Sequence, residues 1–370
     1  MIISILLLII TTFALILFLV LGRPRFLHDD GQSARLVVGL PQLGKKPSGQ
    51  RLEHCKASVA WNGDRFCNEH PVPKEKGNKS MLKVIQEFLL SKQPNKVPPV
   101  PLPAIHTDLR TLPSGDLVVW LGHSGLLLQV GGLSILVDPV LTNAAPVSFL
   151  ERPFPGTDIF KPHDMPPVDA LVITHNHYDH LDYDTVRHLR VKTGHVVCPL
   201  GVGATFEFWN WSSRSITELD WWQSYRIEGP EGPVDIVCTP QHHFSGRMLL
   251  DGNRTLWASY VVITPNRRLF LGGDGGYEDH FRRIGEKYGP FDLAFMENGQ
   301  YDVNWRYIHT MPEQQEQACR DINAHAIFSI HNGKFALARH PWDEPRRNIE
   351  RLRAAGLTVL SPAIGEITRL

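Results

Sequence analysis

One short stretch constrains this chain more than any other. Thr-His-Asn-His-Tyr-Asp-His-Leu-Asp at 174–182 closes a brief apolar run, Ala-Leu-Val-Ile-Thr at 170–174. The run is continuous rather than alternating, as expected of a strand buried on both faces. Side chains at i and i+2 of an extended chain point the same way. His175 and His177 can therefore share one metal ion, while Asp179 and His180, a little further on, can face a second. Imidazole with carboxylate suits Zn²⁺, with Fe or Mn as alternatives. A solvated histidine-rich loop is the bland alternative, and three His and one Asp at this spacing after a strand argue against it.

One loop cannot close two metal sites, so the fold must deliver further ligands to the same place. The sequence offers them at the ends of other apolar runs. Gln-His-His-Phe-Ser at 241–245 follows a run at 234–238, Gly-Gly-Asp-Gly-Gly at 272–276 follows 269–271, and His-Asn-Gly at 331–333 follows 326–330. The glycines let the backbone turn tightly and bring Asp274 close. Further β-rich runs fall at 117–121, 126–130, 134–137, 257–263 and 293–296, with Gly131-Gly132 as a turn. Helices fit 183–192 with Asp182 as N-cap, 277–288, 312–322 and 345–355, with Pro312 and Pro345 in first turns. Strands grouped in hairpins, then alternating with helices, predict sheets covered by helices on their outer faces.

Balanced charge, 38 basic against 38 acidic residues, removes any global electrostatic case for binding nucleic acid. The segment 2–21 carries no charge. As a helix it would span roughly 30 Å, the thickness of a bilayer core. The alternatives are a buried core helix and a cleaved signal peptide. The run has no Lys or Arg before it and no small-x-small cleavage site after it, which favours an uncleaved single-pass anchor. Arg23 and Arg25 on its far side place the body in the cytoplasm. Residues 23–107 read as a linker and loosely structured extension, with a short helix at 81–90 and a stiff proline-rich connector at 98–103. The catalytic body is 108–370. Cys198 and Cys238 lie in apolar runs and Cys319 in a predicted helix, whereas Cys55 and Cys67 would become disulfide partners if the body were exported.

Several stretches carry a family resemblance: WLGHSG (120–125), LVDPVL (136–141), THNHYDHLDY (174–183), TELDWW (217–222), HFSGR (243–247), GGDGGY (272–277), MPEQ (311–314) and IHNGKFALARHPWDEP (330–345). From about residue 108 onward the chain resembles the metallo-β-lactamase superfamily. Within it, the ELDWW and WDEP blocks resemble the N-acyl-phosphatidylethanolamine-hydrolysing phospholipase D branch and its bacterial relatives. The resemblance implies an α+β fold, the αβ/βα four-layer sandwich, with metals at one edge. It implies two zinc ions, one held by His175, His177 and His243, the other by Asp179, His180 and His331, with Asp274 bridging. The neighbouring His242 leaves a register ambiguity; His243 is preferred because it directly precedes Phe-Ser-Gly-Arg. Catalytic roles fall to Asp179, Asp274 and His309, the last beside the substrate phosphate, while His123 is expected to be structural. Gly275 and Asn332 depart from the residues relatives often carry.

The implied activity is zinc-dependent hydrolysis of a membrane phospholipid of the N-acyl-phosphatidylethanolamine type by a metal-activated hydroxide, giving phosphatidic acid and an N-acylethanolamine. A lactone or carboxylic ester hydrolase on the same site is the alternative. The aromatic residues Phe206, Phe208, Trp209, Trp211, Trp221 and Trp222 would line an acyl-chain entrance or pack in the core.

Overall fold

A computed structural model describes residues 40–73, 95–146, 151–248 and 250–370, together with the backbone of an antiparallel strand pair, β1 (Pro24–His28) and β2 (Ala34–Val38). The segment 2–21, expected to span a membrane, and the helix expected at 81–90 lie outside the described residues. No helix among those described is long and apolar enough to cross a membrane.

The apolar runs build two mixed seven-stranded sheets. In the first, β3 (Leu117–Gly122), β4 (Gly125–Val130) and β5 (Leu133–Val137) form an antiparallel meander. Parallel β6 (Val168–Val172), β7 (Thr193–Pro199) and β8 (Ile216–Leu219) extend it, and β16 (Ile367–Arg369) closes the other edge against β3. The second sheet runs antiparallel through β9 (Ser224–Gly229), β10 (Gly232–Thr239), β11 (Ser259–Ile263) and β12 (Arg268–Leu271). It continues parallel through β13 (Leu293–Glu297), β14 (Ile327–Ile330) and β15 (Val359–Leu360).

Alternation along the strands decides the layers. On β10, Ile236 and Cys238 join a core shared with Leu127, Leu171 and Val197 of the first sheet, so the sheets face each other. The intervening Val237 turns outward to Phe281 of α4 (His280–Tyr288), Ala318 of α5 (Gln315–Asp321) and Leu352 of α6 (Glu344–Ala354). On the other sheet, α2 (Tyr183–Leu189) begins at Asp182, whose side chain accepts from the Asp184 N–H as an N-cap does. The expected arrangement of two sheets with helices outside is therefore the observed one.

One expectation needs correcting. Residues 40–73 were read as part of a loose linker, yet they pack onto the body. In α1 (Gly49–Ala57), Arg51 bridges Glu207 at 2.9 Å and Glu218 at 2.7 Å. Cys55 and Phe66 are wholly buried, and Trp209 of the segment after α3 (Gly203–Phe208) donates to Pro41 O. The segment has few apolar residues, and its polar partners lie some 160 residues away, so no local pattern betrays the packing. Of the two readings of the aromatic residues, core packing is the observed one: Phe206, Trp209, Trp211 and Trp221 are buried in the core, and Phe208 and Trp222 pack against it. All five cysteines are free thiols; burial pushes Cys55 up to about 12, leaving it neutral and inert.

Candidate metal centre

Seven strands deliver a polar residue at or just past their carboxyl ends, all at one edge of the sandwich: His123 after β3, Asp138 after β5, His175 after β6, His243 after β10, Asp274 after β12, Glu297 ending β13 and His331 after β14. At β12 the turn depends on glycine. Gly273 has a φ of +60°, and a side chain on Gly275 would run into the Gln241 carboxamide. Gly275, a departure from the family pattern, is thus dictated by Gln241.

The sequence-derived ligands gather in two groups. His175 Nε2 and His243 Nε2 lie 2.8 and 3.3 Å from His177 Nδ1. Around Asp179 Oδ2 stand His123 Nε2 at 3.0 Å, His331 Nε2 at 3.3 Å and His180 Nε2 at 3.6 Å. Asp274 Oδ2 sits between the groups, 3.0 Å from His331 Nε2, 3.1 Å from His180 Nε2 and 3.9 Å from His243 Nε2. His242 turns away, its ring nitrogens 2.6 Å from Tyr307 O and 2.9 Å from His70 O, so it is His243 that reaches the centre. His309 also arrives, its ring 5.0 Å from that of His243 and 5.5 Å from that of His331.

These residues fit metal ions. His177 Nε2 and Asp274 Oδ1 are buried with no protein partner, a cost that native sites rarely leave unexplained. Ring nitrogens crowded this closely need protons or cations between their lone pairs. The nitrogens facing away from the centre are held: His243 Nδ1 by Ile308 O at 2.7 Å, His180 Nδ1 by Asp138 at 2.7 Å, and His175 Nδ1 by the Thr174 hydroxyl at 3.1 Å. Such outer bonds fix the ring and leave Nε2 for an ion.

Sequence reasoning missed two participants, Glu297 and Asp138. Glu297 accepts from His309 Nδ1 at 3.0 Å and from the Thr310 N–H. Asp138 accepts from the Thr174 N–H at 2.8 Å and its hydroxyl at 2.6 Å besides holding His180. His123, expected to be structural, stands directly on Asp179. Glu297 carried the same signal as Asp274, a polar residue ending a buried strand, but without flanking glycines or histidines to single it out.

Without metal, the two groups differ in charge. Burial holds His175 and His243 well below the usual histidine range and His177 at about 4, so this group is neutral. Burial also opposes charge on His180 and His331, but Asp274 and Asp179 outweigh it; His180 stands well above the usual range and His331 at about 10. Both are protonated at pH 7, and an ion binding there must displace the protons. Zinc uptake at pH 7 should therefore release at least two protons per molecule, one from each of these histidines, and apparent affinity should rise steeply with pH toward the His331 value. Calorimetry in buffers of different ionisation enthalpy measures this; uptake with no proton release would contradict the charged state.

The Beta-lactamase superfamily domain model matches residues 134–332. The chain belongs to that superfamily. An uncharacterized protein of Mycobacterium tuberculosis is 37% identical over 322 residues, covering 84% of each chain. The N-acyl-phosphatidylethanolamine-hydrolyzing phospholipase D 1 of Caenorhabditis elegans is 32% identical over 262 residues, 65% of this chain and 71% of that one. Among solved structures, the metallo hydrolase Igni18 of Ignicoccus hospitalis superposes with a TM-score of 0.52 over 68% of this chain and 97% of its own, at 19% identity, a likeness of fold. The chain is a metal-dependent hydrolase of the metallo-β-lactamase superfamily.

Proposed function

We infer that this hydrolase is a binuclear zinc phosphodiesterase acting on N-acyl-phosphatidylethanolamine-type phospholipids. The observation that carries the reading is the place of Asp274, whose Oδ2 lies within 3.9 Å of ring nitrogens from both ligand groups. His175, His177 and His243 would hold one ion and Asp179, His180 and His331 the other, with Asp274 shared. When bound, such a pair supplies Lewis acidity toward a phosphoryl group and toward water.

The rest falls to the chain's own residues. Glu297 fixes the His309 ring through Nδ1, leaving Nε2 for a substrate oxygen, where its proton can meet developing charge. Phe244, Met248 and Leu250 are exposed on the loop leaving His243, and the Phe244 ring lies 4.3 Å from that of His177. An apolar lip beside a polar centre suits an acyl-bearing substrate. The phospholipase relative supports the same substrate class. Tethering to a bilayer by the segment 2–21 completes the proposal.

The test offers zinc-loaded protein N-acyl-phosphatidylethanolamine, in vesicles and in detergent micelles, beside a panel of lactones. Release of phosphatidic acid is expected, with a chain lacking 2–21 losing the vesicle rate and keeping the micelle rate. Turnover of lactones alone would replace the phosphodiesterase reading with lactone hydrolysis.

A further inference from the structure

The segment before the catalytic body reaches the metal centre. Asn68 lies on the stretch 61–73, which crosses the loop after β10. Its Nδ2 donates to His243 O at 2.9 Å, and its Oδ1 accepts from the His243 N–H at 3.0 Å. One carboxamide thus pairs with both main-chain polar groups of one residue, as a neighbouring strand would. Neither group has a backbone partner, since β10 ends at Thr239 and the chain here runs free of the sheet.

Asn68 is itself anchored. Its Oδ1 also accepts from Trp257 Nε1 at 3.0 Å, and that indole is buried. On one side Phe66 is wholly buried, with its N–H bonded to Asn253 O at 2.9 Å. On the other side Glu69 pairs with Arg283, and His70 O accepts from His242 Nε2 at 2.9 Å. The stretch is therefore a strap, pinned at both ends and closed over the His242–His243 pair.

We propose that Asn68 is the positioning residue for His243, and that the strap it belongs to holds this ligand in place for the three-histidine site. The inference rests on the reading of His243 as a metal ligand. Holding the peptide groups on both sides of the His243 Cα fixes where its Cβ points. The bond from Nδ1 to Ile308 O then fixes the ring's rotation. His175 and His177 are held by other means: the Ile173 N–H donates to Val197 O at 3.0 Å, Thr174 O accepts from the Ala258 N–H at 2.9 Å, and Arg247 donates to Asn176 O and Leu181 O at 2.8 and 2.6 Å. His243 stands four residues beyond its strand, where the strap substitutes for the missing sheet. Asn68 touches no reacting atom and acts only through His243.

The test uses full-length protein stripped of metal and titrated with Co²⁺, whose visible absorption reports its ligand set. Wild-type protein should take up two ions. Asn68→Ala should bind one ion as wild type does and the other about 10–100-fold more weakly, the range usual for outer partners of ligating histidines. The absorption of the weakened site should change as well. Asn68→Asp keeps the shape but sets an oxygen against His243 O, and it should weaken the same ion; it decides the matter if the alanine variant fails to fold. Both variants binding two ions with wild-type affinity and spectrum would overturn the strap alone. Equal weakening of both ions would make Asn68 a general stability residue and overturn it too. A wild-type protein holding fewer than two ions overturns the binuclear reading itself and, with it, the ligand role that the strap serves.

Discussion

Asp274→Asn is expected to cost the protein at least one of its two metal ions and to slow hydrolysis by about 10³-fold or more. The substitution preserves shape, so the core around the β12 turn stays filled. What changes is charge. Burial works against a carboxylate at this position, yet His180 and His331 outweigh it and hold Asp274 well below the usual carboxylate range. Its Oδ2 is a carboxylate oxygen within reach of ring nitrogens from both ligand groups, at 3.0 Å from His331, 3.1 Å from His180 and 3.9 Å from His243. Losing a shared ligand removes metal-ion charge stabilisation worth several kcal/mol, and each 1.4 kcal/mol is about tenfold in rate. The metal-free variant should also hold its protons less tightly, since His180 and His331 lose their largest favourable neighbour. Elemental analysis after zinc loading, with the rate beside it, checks the claim. Two tightly held ions and an unchanged rate would remove Asp274 from its central place.

The site was legible where residue type, spacing and strand ends coincided. His175, His177, Asp179 and His180 declared themselves by lying together behind an apolar run, and Asp274 and His331 by ending two more. Continuous apolar runs also marked β6, β13 and β14, whose residues are mostly buried, and the carboxyl half of β10. β9 escaped because its side chains alternate between exposed and half-buried and its main cross-strand anchor is polar, Arg226 with Asp235 at 2.8 Å. Glu297 and Asp138 escaped for another reason. Each is a lone polar residue whose meaning comes from a partner elsewhere in the chain, Glu297 from His309 and Asp138 from His180. Residues 40–73 are the extreme case, since Arg51, Asn68 and Phe66 all find their partners more than 150 positions away. Periodicity reads what a segment does to itself, and these segments act on others.

Arg247 clamps the metal loop from outside the ligand set, and Arg247→Met is expected to destabilise the fold by about 3 kcal/mol while loosening that loop. The guanidinium is wholly buried and donates to three backbone carbonyls: Asn176 O at 2.8 Å and Leu181 O at 2.6 Å through one nitrogen, and Gln42 O at 2.9 and 2.6 Å through the other two. It also lies over the Tyr178 ring, 4.2 Å from its centroid. The first two carbonyls bracket His177, Asp179 and His180, so one planar group sets both ends of the segment that carries them. Removing it strands three carbonyls, at about 1–3 kcal/mol each. Against this stands the cost of the charge: burial pulls the guanidinium down to about 10, with Tyr178, Asp182 and Asp251 offsetting only part of it. Methionine relieves that cost and fills most of the space, so the net loss is nearer the lower end of the sum. Arg247→Lys should recover less than half of it, because one ammonium on a flexible stem cannot span the two sides of the fork. Denaturant unfolding of the metal-free proteins measures the stability change, and zinc titration measures the loop. A methionine variant as stable as wild type, with both ions held as tightly, would show that the ligand loop keeps its shape without this clamp.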